Sequence, residues 1–368
     1  MSAPPDATAK KTPLHEVHKD LGATIVDFAG HLMPLRYGSE TAEHVAVRTG
    51  AGLFDLSHMG EIFLSGPEAA AALDYALVGN LSALVIGRAR YTMICDAAGG
   101  VLDDLIVYRL AEETFLVVAN AANIDTVRAE LLERSAGRET AVDDRSDAYG
   151  LLAVQGPRAQ GILARLTDAP LDALKYYAIM AGRVAGIDTL IARTGYTGED
   201  GFELFVSAGE AVRLWHALSE AGGEDLRPAG LSARDTLRLE AGMPLYGNEL
   251  SAQTTPYDAG LGRVVKLDKP EDFVGKTAFS AISQTPPGRT LVGLVTRGRR
   301  VPRHGYDVVT SDGTPCGVVT SGAPSPTLGT PIAMAYLNTG VGTTGLAVDI
   351  RGRHEPVDVV ALPFYKRS

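Results

Sequence analysis

The sequence predicts an α+β protein, in which two similar units, each an antiparallel sheet with helices, precede a small C-terminal β-barrel or sandwich. A strand, a Gly-Pro step and a helix occur at residues 62–77 and again at residues 151–166, and a strand pair and another helix follow each time. Self-similarity at this period indicates a repeated structural unit. Beyond Pro286-Pro287-Gly288, short apolar runs alternate with turn residues, which is typical of a small all-β domain.

The elements of the two units correspond in order. In the first unit we predict strands at 62–65, 102–110 and 114–119 and helices at 68–77 and 121–134. The second unit repeats this series, with strands at 151–154, 188–194 and 202–206 and helices at 158–166 and 210–220. A cleft between two such units is a usual place for a ligand.

The remaining segments are predicted from local pattern. Residues 13–21 are typical of a short amphipathic helix, an irregular stretch continues to about residue 39, and residues 40–50 form a second helix. Another helix ends at Glu240. The strands predicted for the C-terminal domain are 290–296, 305–310, 316–320, 332–337, 346–350 and 355–361.

Composition excludes several classes of function. The 368 residues carry a formal net charge of −10, which disfavours nucleic acid or an anionic membrane as the main partner. No apolar run reaches the length of a membrane span. Residues 1–12 have no secretory pattern and are expected to be flexible, and the two distant cysteines are expected to be reduced thiols in a cytoplasmic protein.

No motif predicts a metal or a phosphate loop. His15 and His18 are three residues apart, whereas two ligands on a zinc-binding helix need a spacing of four. Residues 340–345 match a dinucleotide fingerprint only as a string, because they lie among β-turns and open no helix. Gly275-Lys276-Thr277 lacks the preceding glycine of a phosphate loop. We therefore expect no metal.

Residues 195–203 (Gly-Tyr-Thr-Gly-Glu-Asp-Gly-Phe-Glu) predict a β-hairpin loop, because three glycines lie between two apolar strands. In the second strand Phe202, Leu204 and Val206 face one side and Glu203 the other. A buried carboxylate is either paired or protonated. Glu203 is therefore either a solvated or ion-paired structural residue, or a group that holds the flat, amidine-like edge of a ligand with both oxygens.

A second acidic position interrupts the apolar strand at residues 101–107. Asp103 and Asp104 face opposite sides of this strand, and Asp104 shares its side with Ile106 and Tyr108. An acid in that position is either a structural group at a strand edge or a member of a site. With Tyr196, Glu203 and Arg234 it would form a set suited to a planar, polar, anionic heterocycle rather than to covalent catalysis.

One basic run stands out against the acidic background. It comprises Arg297, Arg299, Arg300, Arg303 and His304. Such a run is either a solvated turn or a surface that binds an anionic group.

Several motifs together resemble the aminomethyltransferase, or T-protein, of the glycine cleavage system. They are residues 54–59 (Phe-Asp-Leu-Ser-His-Met), 100–107, 195–203, 233–242 (Ala-Arg-Asp-Thr-Leu-Arg-Leu-Glu-Ala-Gly) and 320–326. The resemblance extends from about Thr12 to Tyr365. It implies a cloverleaf-like α+β fold of three domains, with a folate-binding region at 13–279, built from units at about 55–145 and 146–260, and a C-terminal β-barrel at 285–368.

The resemblance also implies an activity and a partner. Tetrahydrofolate would accept the one-carbon unit of an aminomethyl group that the lipoyl arm of the H-protein carries. Ammonia would be released, leaving 5,10-methylenetetrahydrofolate and dihydrolipoyl H-protein. We expect a monomer, and we interpret the basic run as a surface for an acidic H-protein face or for a folate polyglutamate tail.

The site residues follow from the same resemblance. Asp104 matches the catalytic acid, Glu203 the residue that holds the amino-pyrimidine edge of the pterin, and Arg234 a substrate-contacting arginine. The remaining expected contacts are Met59, Tyr91, Asn120, Tyr196, Tyr246 and Tyr365, the last of which aligns only with a gap.

Two related functions are alternatives. A tetrahydrofolate-dependent demethylase would use the same pocket on a different donor. A folate-binding iron–sulfur assembly factor of this fold carries a cysteine in the hairpin motif, and residues 195–201 contain none.

Overall fold

The computed structural model describes residues 9–367. The chain divides into two compact units. The first contains the chain through Ala76 together with Asn80–Tyr91 and Leu105–Asp235, and the second contains Leu77–Gly79, Thr92–Asp104 and the chain from Thr236 onward.

Helices and strands alternate through both units. The helices are α1 (His15–Asp20), α2 (Glu40–Thr49), α3 (Ala69–Ala76), α4 (Ile124–Arg134), α5 (Ala159–Leu163), α6 (Ala211–Gly222), α7 (Leu231–Glu240) and α8 (Lys276–Ile282). The strands before residue 230 are β1 (Lys10–Lys11), β2 (Thr24–Phe28), β3 (His31–Arg36), β4 (Ala51–Asp55), β5 (Gly60–Ser65), β6 (Ala89–Cys95), β7 (Val101–Ala111), β8 (Thr114–Ala119), β9 (Ala141–Asp144), β10 (Tyr149–Gln155), β11 (Ile179–Val184), β12 (Ile187–Ala192), β13 (Gly201–Ser207) and β14 (Leu226–Pro228).

The predicted duplication is confirmed by two sheets with corresponding strand orders. One sheet has the order β6-β7-β8-β5-β9, and the other has the order β11-β12-β13-β10-β4-β14. In each repeat the first strand pairs antiparallel with the fourth, so β5 pairs with β8 and β10 pairs with β13. The sequence analysis did not predict β6, β11 and the short edge strands.

The Gly-Pro steps of the two repeats also have the same backbone conformation. Gly66 has φ +131° and Gly156 has φ +137°, values that L-residues rarely adopt. A Cβ on Gly66 would collide with the carbonyl oxygen of Glu139, and one on Gly156 would lie 2.6 Å from the carbonyl oxygen of Val47. Both positions therefore require glycine for two independent reasons.

The helices pack by their apolar sides against these sheets. In α6, Leu214, Trp215 and Leu218 are buried in the cluster that also contains Phe202 and Leu204 of β13. The spacing of these helix residues places them on one face. This cluster, in the first of the two compact units, thus lies between α6 and the sheet that carries the 195–203 hairpin.

The C-terminal strands form a closed barrel, which confirms the predicted β domain. The strands are β15 (Arg289–Thr296), β16 (Asp307–Val309), β17 (Pro315–Pro324), β18 (Pro331–Asn338), β19 (Ala347–Asp349) and β20 (His354–Val360). Their order is β15-β18-β17-β16-β19-β20, and β20 pairs with β15 to close the barrel. The interior is filled by buried Leu294, Val308, Val319 and Val348.

The N-terminal region differs from its prediction. The stretch expected to be irregular contains the hairpin of β2 and β3, joined at Ala29 and Gly30 with φ +50° and +76°. Two consecutive positive φ angles are typical of a tight hairpin turn, but Ala29 is not one of the residues that signal it. The predicted flexible segment 1–12 lies mostly outside the described residues, and Lys10–Lys11 at its end form β1 beside β3.

A buried hydrogen-bond network joins this region to β4. The carboxylate of Asp55 accepts from Thr12 Oγ1 at 2.7 Å and from Ser57 N at 2.9 Å, and His18 Nε2 lies 2.9 Å from it. The hydroxyl of Tyr37 contacts the other ring nitrogen of His18 at 2.8 Å. Burial opposes ionisation of the Asp55 carboxyl group. The hydrogen bond and the charge of His18 outweigh this effect, so the pKa of Asp55 is lowered. His18 thus has a structural role.

We expect Gly156→Ala to destabilise the protein by at least about 2 kcal/mol, because the substitution adds a collision to a backbone conformation that itself costs on the order of 1–3 kcal/mol. Urea unfolding measures the effect. Gly161→Ala is the matched control, since Gly161 lies in α5 and a Cβ there meets no atom within 4 Å. The control is expected to be neutral or stabilising. An equal loss in both variants would contradict the strain argument.

Candidate functional site

The 195–203 hairpin is shaped by the side chain of Gln155. Gln155 Nε2 donates to the carbonyl oxygen of Thr194 at 3.0 Å, and Thr197 Oγ1 donates to Gln155 Oε1 at 3.0 Å. A Cβ on Gly195 or Gly201 would overlap the amide of Gln155. Gly195 and Gly201 are therefore needed because a buried side chain crosses the base of the loop.

Two ion pairs fix the acidic residues of this loop. Arg193 forms a two-pronged contact with Asp200, with Nε–Oδ1 at 2.9 Å and Nη2–Oδ2 at 2.6 Å. Arg48 Nη1 lies 2.8 Å from Glu199 Oε1, and both side chains are nearly buried. Glu199 and Asp200 thus hold the loop in shape, and Glu203 is the acid of the motif that these pairs leave available.

The predicted orientation of Glu203 is confirmed. Phe202, Leu204 and Val206 are buried in the core cluster under the sheet. Glu203 and Phe205 face the opposite side, where the ring of Tyr108 meets Phe205 edge-on at 5.8 Å. Tyr108 belongs to β7, so this face of the hairpin meets the first repeat.

Glu203 is bound through one oxygen. Thr194 Oγ1 donates to Oε2, and the hydroxyl of Tyr108 lies 3.4 Å from the same atom. Among residues 9–367, these are the donors that reach the carboxylate, and both contact Oε2 rather than Oε1. The pKa of Tyr108 is raised well above its usual value by burial and by the charge of Glu203, so the hydroxyl keeps its proton.

Arg234 and Tyr196 lie beside this carboxylate. The guanidinium carbon of Arg234 is 4.8 Å from the centre of the Tyr196 ring, a cation–π distance. Burial lowers the pKa of Arg234, and the charge of Glu203 opposes this shift. Arginine remains protonated in proteins. The structure thus brings three predicted residues together as a cation, an aromatic face and a half-satisfied anion.

His58 is a member of this environment that the sequence analysis did not single out. Its side chain is buried, its Nδ1 atom has no hydrogen-bond partner among the described residues, and its ring meets Phe28 edge-on at 5.5 Å. Burial lowers the pKa of His58 to about 3, and the positive charge of Arg234 contributes. His58 is therefore a neutral imidazole at physiological pH.

The other predicted residues of the first unit occupy strand ends and edges. Met59 immediately precedes β5 and Asn120 immediately follows β8, and Gly60 pairs with Ala119. Met59 and Asn120 therefore lie at the same end of one strand pair. Tyr91 lies in β6 and is half-buried. No described contact joins these three residues to Glu203.

In the second unit, Asp104 and Tyr246 lie within electrostatic range of each other. The pKa of Tyr246 is raised by burial and by the charges of Asp103 and Asp104. The amide of Val101, at the start of β7, donates to the carbonyl oxygen of Ser251 at 3.2 Å. The segment after Tyr246 thus packs on the strand that carries Asp104.

Tyr365 is placed by its backbone. Its amide donates to the carbonyl oxygen of Glu240 at 2.8 Å, at the C-terminal end of α7. Within residues 9–367, the structure contains no group of three or more His, Cys, Asp or Glu that could hold a metal ion, and no helix long and apolar enough to cross a bilayer.

Glu61 is a buried acid that the sequence analysis also missed. Only 1 % of its surface is exposed, and neither carboxyl oxygen has a hydrogen-bond partner among the described residues. Phe63, two residues further on the same face of β5, stacks on Tyr149 of β10 at 5.6 Å. Glu61 thus faces the space between the two sheets. Its pKa is raised well above the usual value, by burial and by the charge of Asp144.

Comparison with known proteins agrees with this architecture. Residues 14–269 match the GCVT N-terminal domain, and residues 289–366 match the glycine cleavage T-protein C-terminal barrel domain. These two matches, in this order, define a GCVT-domain protein with a C-terminal barrel. The chain belongs to the aminomethyltransferase, or T-protein, family of the glycine cleavage system.

Individual relatives cover nearly the whole chain. An aminomethyltransferase of Saccharopolyspora erythraea is 63 % identical over 98 % of this chain and 100 % of its own length. One of Streptomyces coelicolor is 64 % identical over 98 % of both chains. The crystal structure of the glycine cleavage system aminomethyltransferase T of Bartonella henselae has a TM-score of 0.91 at 40 % identity, over 97 % of this chain and 98 % of that one.

We expect Glu61→Gln to stabilise the protein more at pH 8 than at pH 5. The folded state keeps a proton on Glu61, whereas the unfolded chain loses it near pH 4.3. As pH rises from that value towards the folded pKa, the wild type loses about 1.4 kcal/mol per pH unit from this group. The amide of glutamine carries no charge in either state.

Urea unfolding of both proteins at the two pH values measures this difference. Glu113→Gln is the control, because Glu113 is an exposed glutamate. Its substitution is expected to change stability equally at both pH values. A pH-independent gain in Glu61→Gln would show that the folded protein ionises Glu61.

Proposed function

We propose that this protein transfers the one-carbon unit of aminomethyl-lipoyl H-protein to tetrahydrofolate. The products are 5,10-methylenetetrahydrofolate, ammonia and dihydrolipoyl H-protein. Membership of the aminomethyltransferase family, with identity above 60 % to relatives of that name over nearly the full length, supports this reaction. The observation that carries the folate assignment is the half-satisfied carboxylate of Glu203.

Glu203 has the chemistry to hold the pterin. The amino-pyrimidine edge of tetrahydrofolate presents adjacent N–H donors, and a carboxylate accepts such a pair with good geometry. Thr194 and Tyr108 orient the carboxylate through Oε2 and leave Oε1 available. Tyr196 and Arg234 offer an aromatic face and a fixed positive charge beside it.

We assign Asp104 as the catalytic acid, following the family resemblance. As the thioaminal carbon becomes iminium-like, or loses ammonia during attack by a folate nitrogen, positive charge develops on it. A carboxylate stabilises that charge and orients the attacking nitrogen. The two N–H protons that folate loses when the methylene bridge forms are those gained by the lipoyl thiol and the departing ammonia.

The remaining residues line the substrate in this proposal. They are Met59, Tyr91, Asn120 and Tyr246, with Tyr365 as a further contact near the C-terminus. His58, as a neutral ring next to Arg234, adds no second positive charge to the site. We further propose a folate-binding region at 13–279, a barrel domain at 285–368, a monomeric state and a cytoplasmic location.

We expect Asp104→Asn and Glu203→Gln to separate turnover from binding. Asp104→Asn should lower turnover by on the order of 10²–10³ and leave folate affinity within a few-fold. Glu203→Gln should weaken folate binding, because a neutral amide oxygen accepts hydrogen bonds more weakly than a charged carboxylate. Turnover is measured as tetrahydrofolate-dependent ammonia release, and affinity by calorimetry.

Each variant serves as the control for the other. Equal loss of affinity and turnover in Asp104→Asn would make Asp104 a binding residue only. Transfer of a methyl group from another donor to tetrahydrofolate, with no ammonia release from aminomethyl-lipoyl H-protein, would instead favour the demethylase alternative.

The basic run is partly neutralised within the barrel. Arg297 makes a two-pronged contact with Asp358, with the closest N–O distance at 2.6 Å, and Arg300 lies 3.3 Å from Glu355. Arg299 and Arg303 are exposed and form no ion pair among residues 9–367. We propose that these two arginines provide the positive charge for the H-protein or for a folate polyglutamate tail.

We expect the double variant Arg299→Glu, Arg303→Glu either to raise the KM for H-protein at least about fivefold or to reduce the preference for polyglutamylated folate by the same factor. Arg353→Glu is the control, since Arg353 is exposed elsewhere on the barrel. Steady-state kinetics with H-protein and with mono- and polyglutamylated folate measure both quantities. If neither changes, the basic run is a solvated turn.

A further inference from the structure

The loop that carries Tyr246, residues 243–250, is closed by the side chain of Glu249. Glu249 Oε2 accepts from the amide of Leu245 at 2.9 Å, while the carbonyl oxygen of Leu245 accepts from the amide of Glu249 at 2.9 Å. The amide of Gly247 donates to Leu250 at 2.7 Å, and Gly247 has φ +92°. Tyr246 thus sits between two residues whose backbone is fixed.

Arg238 joins this Tyr246 loop to helix α7 and to the barrel. Its Nη1 lies 2.9 Å from Glu249 Oε2, and the two side chains are 1 % and 0 % exposed. Its Nη2 donates to Ser321 Oγ at 2.8 Å, and Asn248 Nδ2 donates to the same hydroxyl at 3.0 Å. The hydroxyl of Tyr336 in β18 donates to the carbonyl oxygen of Glu249 at 2.6 Å. The loop is therefore anchored from two directions.

The buried ion pair of Arg238 and Glu249 is expected to add little to the free energy of unfolding. Removing two charges from water costs several kcal/mol for each ion, and apolar replacements for buried pairs are often neutral or stabilising. Moreover, Glu249 Oε1 is buried and has no hydrogen-bond partner among the described residues. The pair is better explained by the geometry that it imposes on the Tyr246 loop.

We infer that Arg238 and Glu249 are positioning residues, which hold the Tyr246 loop against the start of the strand that carries Asp103 and Asp104. The loop has no helix or strand of its own, so the side-chain contacts of Arg238 and Glu249 add to its few backbone hydrogen bonds in fixing its shape. The hydrogen bond from the amide of Val101 to the carbonyl oxygen of Ser251, just after the loop, joins this segment to the strand. The catalytic consequence rests on the proposed function, whereas the placement of Tyr246 does not.

The test separates placement from catalysis. In the free protein, the ionisation of Tyr246 is followed by ultraviolet difference titration, and Tyr246→Phe identifies its signal. Because burial and the charges of Asp103 and Asp104 raise the pKa of Tyr246, a phenol displaced from this position should titrate closer to the ordinary value of about 10. We expect this shift in Glu249→Ala, and a smaller one in Glu249→Gln, since glutamine can still accept from Leu245.

Arg238→Lys is the second variant, in case Glu249→Ala does not fold. It keeps the charge, but a lysine cannot span Glu249 and Ser321 as the planar guanidinium does. Glu240→Gln is the matched control. Glu240 is a fully buried glutamate of the same unit, and its carboxylate accepts from Ser325 and Thr327 of the barrel domain. It is expected to lower stability without changing the titration of Tyr246.

Turnover provides the second readout. Glu249→Ala should lower kcat by on the order of 10²-fold, the effect of displacing a site group by about 1 Å, with partial rescue in Glu249→Gln. An unchanged Tyr246 titration in both Glu249→Ala and Arg238→Lys would overturn the inference, as would an equal shift in Glu240→Gln. A shifted titration in a protein that does not release ammonia would leave the positioning role intact and reject the proposed function instead.

Discussion

Carboxylates taken out of water must receive hydrogen-bond donors, a cation or a proton, and this requirement organises the whole structure. Asp55 is supplied by Thr12, Ser57 and His18. Glu249 is supplied by Arg238. Glu61 has no donor among the described residues, and burial raises the pKa of its carboxyl group well above the usual value, which favours the protonated form. Glu203 is the intermediate case, because Thr194 and Tyr108 supply one oxygen, and the positive charge of Arg234 lies close enough to interact with the carboxylate.

The same requirement explains why two acids of the 195–203 motif hold the loop in shape while the third, Glu203, takes no part in these ion pairs. Arg48 and Arg193 neutralise Glu199 and Asp200, so that the loop has a single shape before any ligand binds. Preorganisation of this kind reduces the entropy that binding must overcome. A loop with three unpaired acids would repel itself and would not present one of them in a defined orientation.

Duplication provides the framework on which these groups are placed. The two sheets have corresponding strand orders, and within the first compact unit they make contact through Phe63 with Tyr149 and through Tyr108 with Phe205. The strand that supplies Tyr108 to Glu203 is also the strand that carries Asp104.

The sequence by itself determined the features that depend on local order. The barrel strands, the repeated sheets and the outward face of Glu203 follow from apolar periodicity and turn residues, which act over a few positions. Only the tertiary structure decided which groups meet. The donor Tyr108 is far from Glu203 in sequence, and neither Glu61 nor Glu249 differs in pattern from a surface glutamate. The hairpin of β2 and β3 was missed because Ala29 adopts a positive φ that its side chain does not signal. Burial and pairing are properties of the packed chain, and these properties give each carboxyl group its charge and its role.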